Sequence, residues 1–110
     1  MNLDELVNSI SEQEHREDLT HWVSKWKKDE TNIHALYQLI AKWHGNVWFQ
    51  NQNSQNAFYN NLQKFKHEAI DGLKGMTVNE RLFWFGLFEE WDLANNSEQE
   101  RIRNKIGAPL

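Results

Sequence analysis

The sequence contains no cysteine. That excludes disulfides, thiolate nucleophiles and cysteine–zinc sites, so the fold must rest on packing. Its one proline, Pro109, sits in the tail. Upstream of it, only glycine and loop composition can interrupt a helix. Long apolar runs are also missing. None approaches the ~20 residues needed to span a bilayer, and mean hydropathy is −0.84, so no membrane partner is expected. The opening Met1-Asn2-Leu3-Asp4-Glu5 is acidic and lacks the basic-then-apolar order of a secretory signal. The expectation is a cytoplasmic protein. Clustered positive charge is absent too: formal net charge is −4, and Lys25, Lys27 and Lys28 form the densest basic group. Trp22 and Trp26 lie near these lysines, but both fall on an apolar stripe. Because phosphate binding needs clustered Lys and Arg, nucleic acid is not an expected partner.

What is present is an aromatic, helix-patterned chain. Its 110 residues suit one domain, 1–110, with a single core. Six Trp, six Phe and two Tyr supply much of the packing material. The periodicity predicts an all-α fold, a compact bundle of five or six helices with an aromatic-rich core. Leu3, Leu6, Val7 and Ile10 suit a short first helix. Ser11 with Glu14 reads as a capping box for a second helix, whose stripe is Leu19, Trp22, Val23 and Trp26. Thr31 is the expected N-cap of a third, with Ile33, Leu36, Tyr37, Ile40 and Trp43 inward and Gly45 as its stop. Residues 46–63 carry no charge. Within them, 46–53 read as a loop and Ser54 as the cap of a fourth helix, which buries Phe58, Leu62, Phe65, Ala69 and Leu73 and ends at Gly75. Thr77 and Glu80 form the clearest capping box. The fifth helix, about 78–94, is apolar on two sides and is expected at the centre of the bundle. Trp84, Leu87, Phe88 and Trp91 form one side of it; Leu82, Phe85, Gly86 and Leu93 form the other. Ser97 with Glu100 opens a last helix bearing Ile102 and Ile106, closed by Gly107 and Pro109.

Catalytic patterns are scarce. No G-x-S-x-G elbow, Gly-rich phosphate loop or H-E-x-x-H is present. The helix spacing of His15 with Asp18, and of Glu17 with His21, suits two metal ligands each, whereas a site takes three or four. The ordinary reading of these residues is a solvated charged face, and no metal or cofactor is expected. A metal-dependent hydrolase using His15, Glu17, Asp18 and His21 is the second alternative on function. His44 reads as a core-edge residue at a helix C-terminus, where the dipole favours a cation.

Two features point to surface contact. Trp48 and Phe49 lie in the charge-free segment, and interface centres are depleted in charge and rich in aromatics. The competing reading tucks both into the core. Acids also cluster, at 12–18 and 89–92, with Glu14, Glu17, Asp18, Glu89, Glu90 and Asp92 as candidate contacts for a cationic partner. Ordinary solubilising surface is the competing reading there.

Thr77-Val78-Asn79-Glu80-Arg81-Leu82, followed by Gly86-Leu87 and Glu90-Trp91-Asp92, carries a resemblance. It resembles the N-E-R-L-x-x-x-G-L-x-x-x-[aromatic]-[acid] helix of small uncharacterised bacterial helical proteins, some of them similar to toxin-immunity proteins. The likeness spans about a quarter of the chain and transfers no site residue. It implies a non-enzymatic inhibitor that neutralises a bacterial toxin domain by occlusion. The first alternative is a helical adaptor or regulatory subunit, homodimeric in one form.

Overall fold

The computed structural model describes residues 1–107. The expected Pro109 stop therefore lies outside the described residues. Among the described residues seven α-helices follow one another: α1 Leu3–Asn8, α2 Gln13–Lys28, α3 Ile33–Asn46, α4 Gln52–Phe65, α5 Val78–Trp84, α6 Phe88–Leu93 and α7 Asn96–Lys105. A π-helical turn, Lys66–Ile70, continues α4, and a 3₁₀ turn, Leu73–Gly75, leads toward α5. No strand occurs among the described residues. No helix among them is long and apolar enough to cross a membrane.

The helix count exceeds the expected five or six because the fifth helix is broken. The chain turns at Gly86, whose φ is +64°, a left-handed conformation costly for any residue with a Cβ. A Cβ there would also overlap the carboxylate of Asp4. The 78–94 segment is thus two short helices at an angle. Its burial follows suit: Leu82, Phe85 and Leu87 are fully buried, whereas Phe83, Phe88 and Leu93 are exposed. The central single helix expected from the sequence is replaced by a corner whose inner residues reach the core.

Helix starts follow the N-cap preference for Asn. Asn2 and Glu5 form a reciprocal capping box, as do Thr77 and Glu80. Asn32, Asn51 and Asn95 cap α3, α4 and α7 through their side chains. These replace the expected Thr31, Ser54 and Ser97. Ser11 caps nothing; its hydroxyl donates to Ser54 Oγ instead. Gly45 falls inside α3 rather than ending it.

One apolar core joins all seven helices except α6, which packs partly buried Trp91 against it. Phe85 sits against Trp26 at 6.3 Å and edge-on to Phe65 at 5.8 Å between ring centres. Trp43, Phe49 and Phe58 form a second aromatic group. Trp22, expected in the core, is 39% exposed, because the groove between α2 and α3 opens beside it.

Three cations tie the later helices to the earlier ones. Lys105 is buried, and its ammonium lies 4.2 Å from the centre of the Trp26 ring. It donates to the carbonyl oxygens of Trp26 and Thr31 at 2.5 and 2.6 Å and to Asp29 Oδ1 at 2.9 Å. Arg101 adds a bond to the Asp29 carbonyl at 2.8 Å. Together they bond carbonyls at the C-terminal end of α2 and in the turn that follows it, where cations are favoured. Arg81, inside the N-E-R-L motif, donates to the carbonyls of Met76, Ile106 and Gly107. That stretch of the motif therefore serves the fold.

Candidate functional site

The connection between α3 and α4 is extended at Val47, with φ −108° and ψ 149°. In extended backbone, successive side chains point to opposite sides. Val47 is half-buried, Trp48 faces out and Phe49 faces in. The numbers separate the pair: Trp48 is 88% exposed and Phe49 only 8%. Phe49 is therefore corrected from a candidate contact to a core residue, packed on His15, Trp43 and Phe58.

This connection is strapped to the start of α2. His15 Nε2 donates to the Trp48 carbonyl oxygen at 2.8 Å. A carbonyl can only accept, so that nitrogen carries the proton. The Glu12 carboxylate accepts from the backbone N–H of Gln50 at 2.9 Å and of Asn51 at 3.4 Å. Asn51 in turn caps α4. The chain is thus held at the Trp48 carbonyl and at the two residues that follow Phe49, and the indole projects from this tethered segment.

Beside the indole lies a hollow of about 510 Å³, lined by Glu12, Gln13, Glu14, His15, Trp48 and Gln50. Glu14 is exposed. Glu17 and Asp18, one turn further along α2, share its side of the helix. Glu17 accepts from Gln13 Nε2 at 2.9 Å. Asp18 accepts from Trp43 Nε1 at 2.8 Å, so one of its oxygens is already committed. Trp43 also lines an apolar groove of about 420 Å³ with Trp22, Leu39, Lys42 and Asn46. Trp48, the acids of α2 and the Trp22 groove are thus linked through His15 and Trp43.

The second acidic group lies elsewhere. Glu89 and Glu90 line a groove of about 730 Å³ together with Lys27, Lys28, Arg101, Glu98, Ser24 and Leu93. Asp92 is exposed on the same helix, α6. Glu14 and Lys27 are separated by roughly 20 Å along α2 at 1.5 Å per residue. The candidate acids therefore form two surfaces at opposite ends of that helix. The α6 acids share their groove with cations of their own chain, whereas the hollow beside Trp48 is lined by none.

The proposed metal quartet does not assemble. Among the described residues, no group of three His, Asp or Glu side chains is placed to hold a metal ion. His15 bonds the Trp48 carbonyl, and His21 lies edge-on to Trp22 at 5.6 Å. His44 packs against Phe58 at 5.3 Å with its Nε2 buried and unpartnered among the described residues.

Glu12 and His15 position the linker, and sequence reasoning did not assign them that task. The contacts span 33 to 39 residues in sequence, and no local pattern encodes such pairings. Comparison with protein-family models, with curated proteins and with solved structures gives no match.

Proposed function

We propose that this chain is a non-enzymatic protein-binding module, an immunity-type inhibitor that neutralises a bacterial toxin domain by occlusion. The observation that carries the binding reading is Trp48, 88% exposed on a backbone held by α2. An exposed indole on a pre-organised segment supplies a large contact area at little entropic cost on binding. Trp is also enriched among the few residues that dominate binding energy. The acids Glu14, Glu17 and Asp18 beside it favour a basic partner and speed encounter. The toxin assignment rests on the helix resemblance together with small size and acidity. Under this reading the inhibitor covers the toxin's site and undergoes no turnover.

The test is co-expression with the product of the adjacent gene, followed by affinity measurement. Trp48→Ala should weaken the complex by at least about tenfold, the effect of a ~1.4 kcal/mol contact. Glu14→Lys with Glu17→Lys should slow association, more so at low salt. A complex indifferent to all three changes would place the interface elsewhere. Absence of any neighbour-encoded partner would remove the inhibitor reading.

A further inference from the structure

Three tryptophans of this chain have a cation of the chain over their rings. Lys105 lies 4.2 Å from the Trp26 ring centre, Arg103 lies 5.3 Å from Trp91, and Lys25 lies 5.5 Å from Trp22. Among the described residues, Trp48 is the most exposed of the large hydrophobics. No Lys or Arg of the described residues lies over it. The hollow at its base is lined by two carboxylates, Glu12 and Glu14, and by no Lys or Arg.

We propose that this hollow receives the side chain of a Lys or Arg from the partner protein, held between the Trp48 indole and the Glu14 carboxylate. The inference rests on the binding reading above and specifies the chemistry of the partner's contact point. The argument is one of complementarity. An indole face attracts a cation through its quadrupole. A carboxylate beside it adds charge-assisted hydrogen bonding to the same group. Glu14 has no hydrogen-bond or ion-pair partner among the described residues, so it is free to take one. Glu12, also in the lining, is committed to the backbone N–H groups of Gln50 and Asn51. Gln13 and Gln50 add polar side chains at the rim. The α6 acids differ: Lys27, Lys28 and Arg101 line their groove, so a partner cation there would be repelled as well as attracted.

A hexa-arginine amide serves as the probe, with hexa-glutamine amide as the uncharged control. The peptides are titrated into isotopically labelled protein, and the indole and backbone N–H signals are followed. Trp48→Leu identifies the Trp48 indole signal. Both Trp48 and Glu14 are exposed, and the variants' thermal melts verify folding. The expected result is saturable movement of the Trp48 indole and of the Gln13–His15 and Gln50 amides with hexa-arginine alone. Glu14→Gln and Trp48→Leu should each raise the apparent Kd by about threefold or more, as for one exposed cation–π or ion-pair contact. Glu89→Gln with Glu90→Gln should leave it within about twofold, because these acids lie at the far end of α2 from the hollow, beyond the ~8–10 Å reach of screened charges. Movement centred on residues 89–92, or a Kd unchanged by Glu14→Gln and Trp48→Leu, overturns the proposal. The peptide titration needs no natural partner. If it fails while Trp48→Ala still breaks the cognate complex, only the cation site falls. If it succeeds while no partner is captured, only the inhibitor reading falls.

Discussion

Lys105 shows how far a single residue can depart from its usual setting. Lysine is almost never fully buried unless paired, yet this ammonium is sealed under Trp26 with three oxygen acceptors. Burial pushes its pKa down, and the Asp29 carboxylate only partly opposes that. For Asp29, burial pushes the pKa up, but bonds from Lys105 and Thr31 outweigh it and hold the group below its ordinary 3.8. The signs give two limbs. Asp29 binds protons less readily folded than unfolded, so its stabilisation is present above 3.8 and is lost as pH falls through and below that value. Asp29→Asn should therefore flatten the acid limb of stability against pH, measured by urea midpoints; an unaltered limb would refute the pairing. Lys105 works the other way on the alkaline side. Its folded pKa lies below 10.5, so stability rises as pH climbs toward that value and the buried charge is relieved. Lys105→Met leaves the Thr31 carbonyl without its donor and the Trp26 carbonyl with only the Asp29 N–H, and should cost about 2–3 kcal/mol in denaturant unfolding. A loss under about 1 kcal/mol would mean that methionine packing compensates.

At the scale of elements, the corner at Gly86 decides how the second half of the chain meets the first. Asp4, in α1, fills the space a Cβ would occupy and bonds Lys27 Nζ of α2 at 2.8 Å. Gly86→Ala should therefore cost about 2 kcal/mol or more, from left-handed backbone plus displacement of Asp4. In an Asp4→Ala background the steric part vanishes, so the two changes should couple by more than about 0.5 kcal/mol. Additive losses in thermal unfolding would contradict this arrangement. The same corner shows what the sequence makes legible. Helical periodicity located most of the seams of α1 to α4 and α7, Trp22 of α2 being the exception, because one apolar stripe per helix is a local property. The Thr77–Glu80 box was visible for the same reason. Caps at Thr31, Ser54 and Ser97 slipped by one to three residues because Asn neighbours bind the same open N–H groups at least as well. The break at Gly86 was not legible, since a mid-helix glycine costs only about 1 kcal/mol and Asp4 lies some eighty residues away in sequence. At the candidate site, charge depletion singled out Trp48 and Phe49 together. Only the alternation of an extended linker, set by Glu12 and His15, sends one outward and the other inward.

For the molecule as a whole, the described residues span 44 × 25 × 19 Å with a radius of gyration of 14.1 Å. A compact chain of this length averages about 13 Å, so the outline is somewhat drawn out. Small-angle scattering of the isolated protein should return a value near 14.1 Å at all concentrations. A rise with concentration would instead favour the homodimeric adaptor. The extended shape places the Trp48 surface at the start of α2 and the Lys105 contacts at its end, a full helix length apart. Partner contact and fold closure therefore load different ends of one helix. That closure also has a consequence in time. The carbonyls ending α2 are met by Arg101 and Lys105, which a ribosome delivers about seventy residues after α2 itself. At 5–20 residues per second, α2 spends roughly 4–15 s in the nascent chain without them. These contacts thus form only after translation has passed α7, and a chain arrested before Lys105 lacks the ammonium that bonds Trp26, Asp29 and Thr31.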